Sequence, residues 1–351
     1  MIIKQNSEFL FLFEASMTNP NGDPDQENKP RMDYETSTLL VSDARRKRDC
    51  RDFMKEKNYQ IFVDTIGDNK IPMDKMFAHI IELYFKVPEK IEVLKKNNPD
   101  LDSNWMLGKQ SAKYQEEYNE LKKDKKIKTE FTRFNNLLLT EIIKDSLIDI
   151  RLFGSAMAVE GVSRTYTGPV QMNWGYSLHP VELVKSNTIT SIMNEDNSTF
   201  GKKHKVHYAL VAHYGTINKF SARKTGMTEA DRDIFRKALV QGMMNQQTDS
   251  KQGQIPLLYL EIVYQDDFDG YLGDLRRFID VDYDGQKPIR NLKDLQKVDF
   301  SRLDAVIKEM KSMNYVQEVI VWKDPFVNKE IFNLMEHQPI DLWKAVPVQG
   351  A

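Results

Sequence analysis

Apolar and polar positions along this chain fall into blocks with different periods. Phe9 to Ala15 is a short apolar run bounded by turn residues, which predicts a buried strand. Asn19 to Pro30 is dense in Asn, Pro, Gly and Asp and predicts a loop. Leu39 to Met54 reads as a helix, with Ser42 or an earlier hydroxyl as its cap. His207 to Tyr214, Leu257 to Tyr264 and Val316 to Trp322 read as further strands, and Asp149 to Gly154 as strand-like or buried. Thr228 to Met244 carries Ala230, Ile234, Ala238 and Phe235, Leu239, Met243 at helical spacing, with Thr228 and Asp231 placed as a capping box.

The block at 71–142 differs, with apolar clusters at Leu83-Tyr84-Phe85 and Trp105-Met106-Leu107 and a Lys/Glu-rich run from Lys113 to Lys128. It predicts a helical insertion whose charge run is a solvated face. Ile189 to Lys205 is polar, without clear period, and reads as an exposed excursion. Without the excursions, the core order is strand, helix, strand, strand, helix, strand, a ferredoxin-like split βαβ arrangement in an α+β fold. The RNA-recognition motif shares that topology, but topology alone does not give function.

Composition narrows the class. The chain has 351 residues, a formal charge of −2 and 40% hydrophobic residues, enough for a sizeable core. One cysteine, Cys50, excludes an internal disulfide and a cysteine-based zinc site. No apolar window approaches the ~20 residues of a membrane span, and the N-terminus lacks signal-peptide features, so a soluble, cytoplasmic protein with no membrane contact is expected.

Three constellations carry candidate chemistry. Asp23, Asp25 and Asp33 in the first loop could hold Mg²⁺ for phosphodiester cleavage. Asn-Gly-Asp-Pro is more readily turn chemistry, with Gly22 free to take positive φ. From Asp43 to Arg51 five Lys/Arg meet two Asp, a local excess of three positive charges. Arg45, Arg48 and Arg51 then form one helical stripe, and Lys47 and Arg51 another. Either could grip successive phosphates, or the face is solvated and paired with Asp49 and Asp52. In the excursion, Met193 or Phe200 could wedge between bases while Lys202, Lys203 and His204 hold the backbone. His204 and His207 are a poor metal pair, and neither a P-loop, a GxGxxG fingerprint nor a Ser or Cys nucleophile motif is present.

Several segments together resemble the backbone subunit of the type I CRISPR Cascade surveillance complex (the Cas-seven family), closest to the I-B and I-C subtypes. They are Asn19-Pro20-Asn21-Gly22-Asp23-Pro24-Asp25, Asn28-Lys29-Pro30-Arg31, Val41-Ser42-Asp43 with Lys47-Arg48, Asp149 to Gly154, Gly168-Pro169-Val170-Gln171, and Tyr208-Ala209-Leu210. The resemblance implies an RRM-like palm (1–70 plus 143–280), a helical finger insertion (71–142), a thumb hairpin (187–205) and a C-terminal segment packing on the palm (281–351). It implies no enzymatic activity, no cofactor and no metal. The implied partners are crRNA, target DNA reached through the crRNA, and further copies in a head-to-tail filament. Other Cascade subunits (a crRNA 5′-end cap subunit and a large subunit) and a recruited helicase-nuclease are implied as well. Asn19, Asn21, Arg31, Ser42, Arg45, Lys47, Arg48, Arg51 and Gln171 would lie against the guide. Met193, Lys202, Lys203 and His204 would belong to the thumb. Type III relatives of the family cleave RNA from an acidic loop residue, so a metal-dependent endoribonuclease is the alternative expectation.

Overall fold

The computed structural model describes residues 1–62, 65–66, 69–70, 73–108, 111–159, 162–190, 200–328 and 330–349. The chain is of mixed helix and sheet. Among the described residues, a nine-stranded sheet forms its middle. Six strands and two helices place everything that follows: β1 (Ser7–Thr18), β2 (Thr38–Val41), α1 (Asp43–Glu56), β3 (Gly175–Ser177), β4 (Val206–Ile217), α2 (Glu229–Asn245), β5 (Gln254–Tyr264) and β6 (Val316–Lys323). The strands run in the order β6-β5-β1-β4-β3-β2, and Val170–Met172 also pairs with β4. β1 is antiparallel to both neighbours, with Phe11 opposite His213 on one side and Tyr259 on the other.

β1 is apolar from Phe9 to Phe13 because both its faces are covered there. Phe9, Phe11 and Phe13 point to the helices, into a core shared with Cys50, Phe53 and Met54 of α1 and Phe235, Ala238 and Leu239 of α2. Leu10 and Leu12 point the other way, toward Leu275, Val298, Phe300 and Leu303 of the C-terminal region. A third core belongs to the helices Met73–Phe85, Pro88–Asn97, Tyr114–Lys123 and Lys128–Ser146, around Phe134, Leu138 and Ile142.

Three local readings need correction. Leu39 to Val41 belongs to strand β2, paired with β3 on one side and Met32–Asp33 on the other, and the helix begins only at Asp43, where the Ser42 Oγ accepts the Arg45 amide at 3.3 Å. Asp149 to Phe153 is helical (Ile148–Phe153), because one short turn must serve two cores: Ile148 and Leu152 face the sheet and Ile150 the helical block. Gly154 ends it at φ 69°, where a Cβ would stand 2.0 Å from the Tyr166 carbonyl oxygen. Gly22 does not take positive φ; Glu27 (53°) and Asn28 (58°) do. Glycine at position 22 supplies space instead, since a Cβ there would meet the Asn28 side chain at 1.8 Å. The capping box on α2 forms as expected, through Thr228 and Asp231.

Candidate nucleic-acid interface

The first loop is held from within. Asn19 is 3% exposed, and its Nδ2 donates to the Asn28 carbonyl at 2.8 Å. The Asn21 Oδ1 accepts the Ser42 amide at 2.7 Å, fastening the loop to the start of α1. Both asparagines, expected to face RNA, therefore shape the loop first. Arg31 is a quarter exposed and lies between the Asp23 carboxylate at 3.5 Å and the Trp174 ring, 5.7 Å from its centroid.

The cations of α1 do not form the open stripe expected. Arg45 pairs with Asp49 at 2.5 Å, Lys47 with Asp43 at 2.9 Å and Arg48 with Asp52 at 2.7 Å. Arg51 reaches the buried Asp149 at 3.1 Å and lies over the Phe153 ring, so it joins the helix to the junction with the helical block. Of the three residues in the stripe, Arg48 is the most open, at 46%. Arg46 is buried against Phe13 and pairs with Asp49 at 2.9 Å.

Thr188–Thr190 and Phe200–Lys202 pair as the stem of a hairpin. Met193 and the Phe200 side chain lie outside what the structure describes. The described base of the hairpin meets two other segments. Lys202 reaches Glu27 of the first loop at 3.2 Å, and Lys203 reaches Asp249 at 2.8 Å, with Lys205 4.0 Å from the same residue. His204 bonds the Asn187 side chain at 3.0 Å through Nδ1. Its lysine partners hold each carboxyl below the usual range: the Lys202 hydrogen bond for Glu27, the Lys203 hydrogen bond for Asp249.

The segment 247–253, which the sequence does not single out, closes this surface. The Asn19 amide donates to the Ser250 carbonyl at 3.0 Å, and Ser16 donates to Gly253 at 2.9 Å. The Lys251 ammonium donates to the Asn19 and Pro20 carbonyls at 2.6 and 2.9 Å. Burial, reinforced by Arg45 and Arg46, pulls its pKa down to about 7. First loop, helix start, hairpin base and this segment thus converge, with Arg31, Arg45, Lys202, Lys203, Lys205 and Lys251 distributed along one surface.

Other positions divide. Gln171 is exposed, its Nε2 donating to the Gly168 carbonyl at 2.8 Å. Asp23 accepts the Asp25 amide and Asp33 the Glu35 amide and the Thr36 hydroxyl, so both close turns. Among the described residues, no group of three His, Cys, Asp or Glu stands close enough to share a metal ion. Also among them, no helix is long and apolar enough to cross a membrane.

Comparison with known proteins identifies the family. The family model described as CRISPR-associated protein Cas7 matches residues 5–301. A CRISPR-associated protein Cas7 from Haloferax volcanii is 24% identical over 318 residues, covering 84% of this chain and 81% of that protein. A chain of a solved CRISPR RNA-guided surveillance complex, captured before nicking, superposes with a TM-score of 0.54 at 12% identity, covering 96% of this chain and 97% of that one; this likeness concerns the fold. With most of its length matched by that family model, the chain belongs to the CRISPR-associated Cas7 family.

Proposed function

We propose that this Cas7 subunit binds crRNA along the surface where the first loop, the start of α1, the hairpin base and segment 247–253 meet. Copies assemble head to tail on the guide, whose exposed segments pair with target DNA. The observation that carries this reading is the convergence itself. Cations from Arg31 to Lys251, more than two hundred residues apart in sequence, line one surface in a chain of this family. Ion pairs to Glu27 and Asp249 hold the lysines in place before RNA arrives. Each copy need contribute only a few phosphate contacts, because repetition along one strand multiplies them. A near-neutral chain is compatible with that role.

The strand order β5-β1-β4-β3, with α1 and α2 on one face, supports an RRM-like palm. The block at 71–142 then serves as fingers and 187–205 as thumb. The subunit acts in the cytoplasm beside a cap subunit, a large subunit and a recruited helicase-nuclease, and does no chemistry itself. Its Asp23 and Asp33 carboxylates are engaged in turns. The test is expression with a CRISPR array and purification at moderate salt. Protected RNA of regular length should copurify. Absence of RNA, with Mg²⁺-dependent cleavage abolished by Asp23→Ala, would instead make the protein a nuclease.

Lys251 gives this reading a pH dependence. Its free-state pKa is near 7 because it is buried and faces Arg45 and Arg46, against one nearby carboxylate, Asp49. A bound phosphate stabilises the charged form and raises that pKa, so binding takes up a proton. The contribution is complete below pH 7 and is lost as pH rises through the interval above it, by at most about tenfold per pH unit for one proton. Anisotropy titrations from pH 6 to 9 at fixed ionic strength should show this decline in the native protein and a flat profile in Lys251→Arg. Matching profiles would remove Lys251 from the guide contacts.

A further inference from the structure

Trp174 lies outside every segment that the sequence marks for RNA contact. Its ring is 45% exposed, whereas Trp322 is 4% exposed. The backbone beneath it is fixed on both sides. The Asn173 amide donates to the Tyr214 carbonyl of β4 at 2.8 Å. The Trp174 carbonyl accepts from the Arg276 Nη1 at 2.7 Å, and Arg276 is itself buried and paired with Asp274. The Arg31 guanidinium lies 5.7 Å from the ring centroid, kept there by Asp23. The Arg31 Nε is buried without a hydrogen-bond partner.

We infer that the Trp174 indole stacks on a nucleobase of the bound guide while Arg31 takes the adjoining phosphate, an assignment that rests on the guide-binding reading above. A half-exposed indole on a rigid backbone, with a guanidinium over one face and the rest of its surface open, is an arrangement that binds single-stranded nucleic acid without regard to sequence. A guide whose spacer differs from one complex to the next requires that indifference. A second copy of the chain could also cover an exposed indole, but the Arg31 guanidinium held over the ring favours an anionic strand.

The test compares wild type, Trp174→Phe and Trp174→Ala on two single-stranded RNAs about ten nucleotides long, one uridine-rich and one with abasic positions. On the base-bearing RNA, Trp174→Ala should bind about tenfold more weakly and Trp174→Phe nearly as well as wild type. On the abasic RNA the three proteins should bind alike. The slope of affinity against salt should not change, because no phosphate contact is removed. Binding should quench indole fluorescence in wild type and much less in Trp174→Phe. If wild type binds and Trp174→Ala binds equally well, or loses as much on abasic RNA, the stacking assignment fails. If Trp174→Ala lowers only the length of assemblies on long RNA, the ring is a contact between subunits and the assignment also fails. No binding by wild type to either RNA overturns the guide-binding reading itself.

Discussion

Replacing Lys202, Lys203 and Lys205 together with alanine is expected to strip guide RNA from the protein during purification. It should also flatten the log-log salt dependence of binding by about two units. Single-stranded nucleic acid gives a slope of about 0.7 per phosphate neutralised, so three lost contacts account for that change. The loss in affinity should exceed three independent contacts, since the substitution also leaves the Glu27 and Asp249 carboxylates facing the strand unneutralised. An equal charge change in the exposed Lys122, Lys123 and Lys125 of the helical block is the control and should leave the slope unchanged. Equal effects from both triples would reduce the interaction to bulk charge and remove the hairpin base from the interface.

Glu261→Gln should be among the most destabilising single substitutions in the chain. Glu261 is fully buried on β5, with the Arg236 guanidinium at 2.6 Å, the Tyr259 hydroxyl donating at 2.8 Å and Arg232 at 4.0 Å. Neutralising it leaves the largely buried Arg236 without a carboxylate partner, which costs about 3–5 kcal/mol. Adding Arg236→Met should recover part of that loss, because replacing a pair with apolar bulk costs less than breaking it. Denaturant midpoints of wild type and the two variants decide this; no change in Glu261→Gln would refute it. Burial pushes the Glu261 carboxyl upward, but the adjacent arginines outweigh burial and hold it at about 2, against 4.5 as the reference value. Its contribution is therefore present above pH 4.5 and disappears as pH falls from there toward 2. Wild-type stability should therefore fall as pH drops below 4.5, and Glu261→Gln, which lacks that contribution, should show a shallower acid dependence.

The parts of this molecule legible in its sequence are those set by neighbours in sequence. The capping box at Thr228 and Asp231 and the periodicity of α2 need only residues within a few turns of each other. The same holds for Ser42 as a cap. The Asp149 to Gly154 segment misleads for the opposite reason. Its short apolar run fits a strand as well as a helix, and the choice is made by two cores that the sequence does not display together. The candidate site divides in the same way. The loop and the cationic helix are visible as composition. The carboxylates that neutralise the helix cations are partly visible, as with Asp49 and Asp52, and partly hidden, as with Asp149, 98 residues from Arg51. Lys251 and Trp174 carry no local signal. Their significance lies in the Asn19 carbonyl and the Arg31 guanidinium, to which only folding brings them.

The covering of β1 on both faces has a consequence for how the chain finds its pairing. In a sheet with one wet face, a slip of one residue exposes apolar side chains, and hydrophobicity alone rejects it. In β1 a slip would exchange phenylalanines for leucines, apolar for apolar, and polarity would not object. Two acids supply the missing discrimination. Glu8 is buried and receives the Tyr214 hydroxyl at 2.7 Å, the Leu272 amide at 2.8 Å and the Gly273 amide at 3.1 Å, while Glu14 receives the Tyr208 hydroxyl at 3.0 Å. Shifted by one residue, both carboxylates would turn into the aromatic core without those donors. An apolar strand at the centre of this subunit is thus indexed by the charged residues near its ends, and the alignment of every neighbouring strand inherits that index.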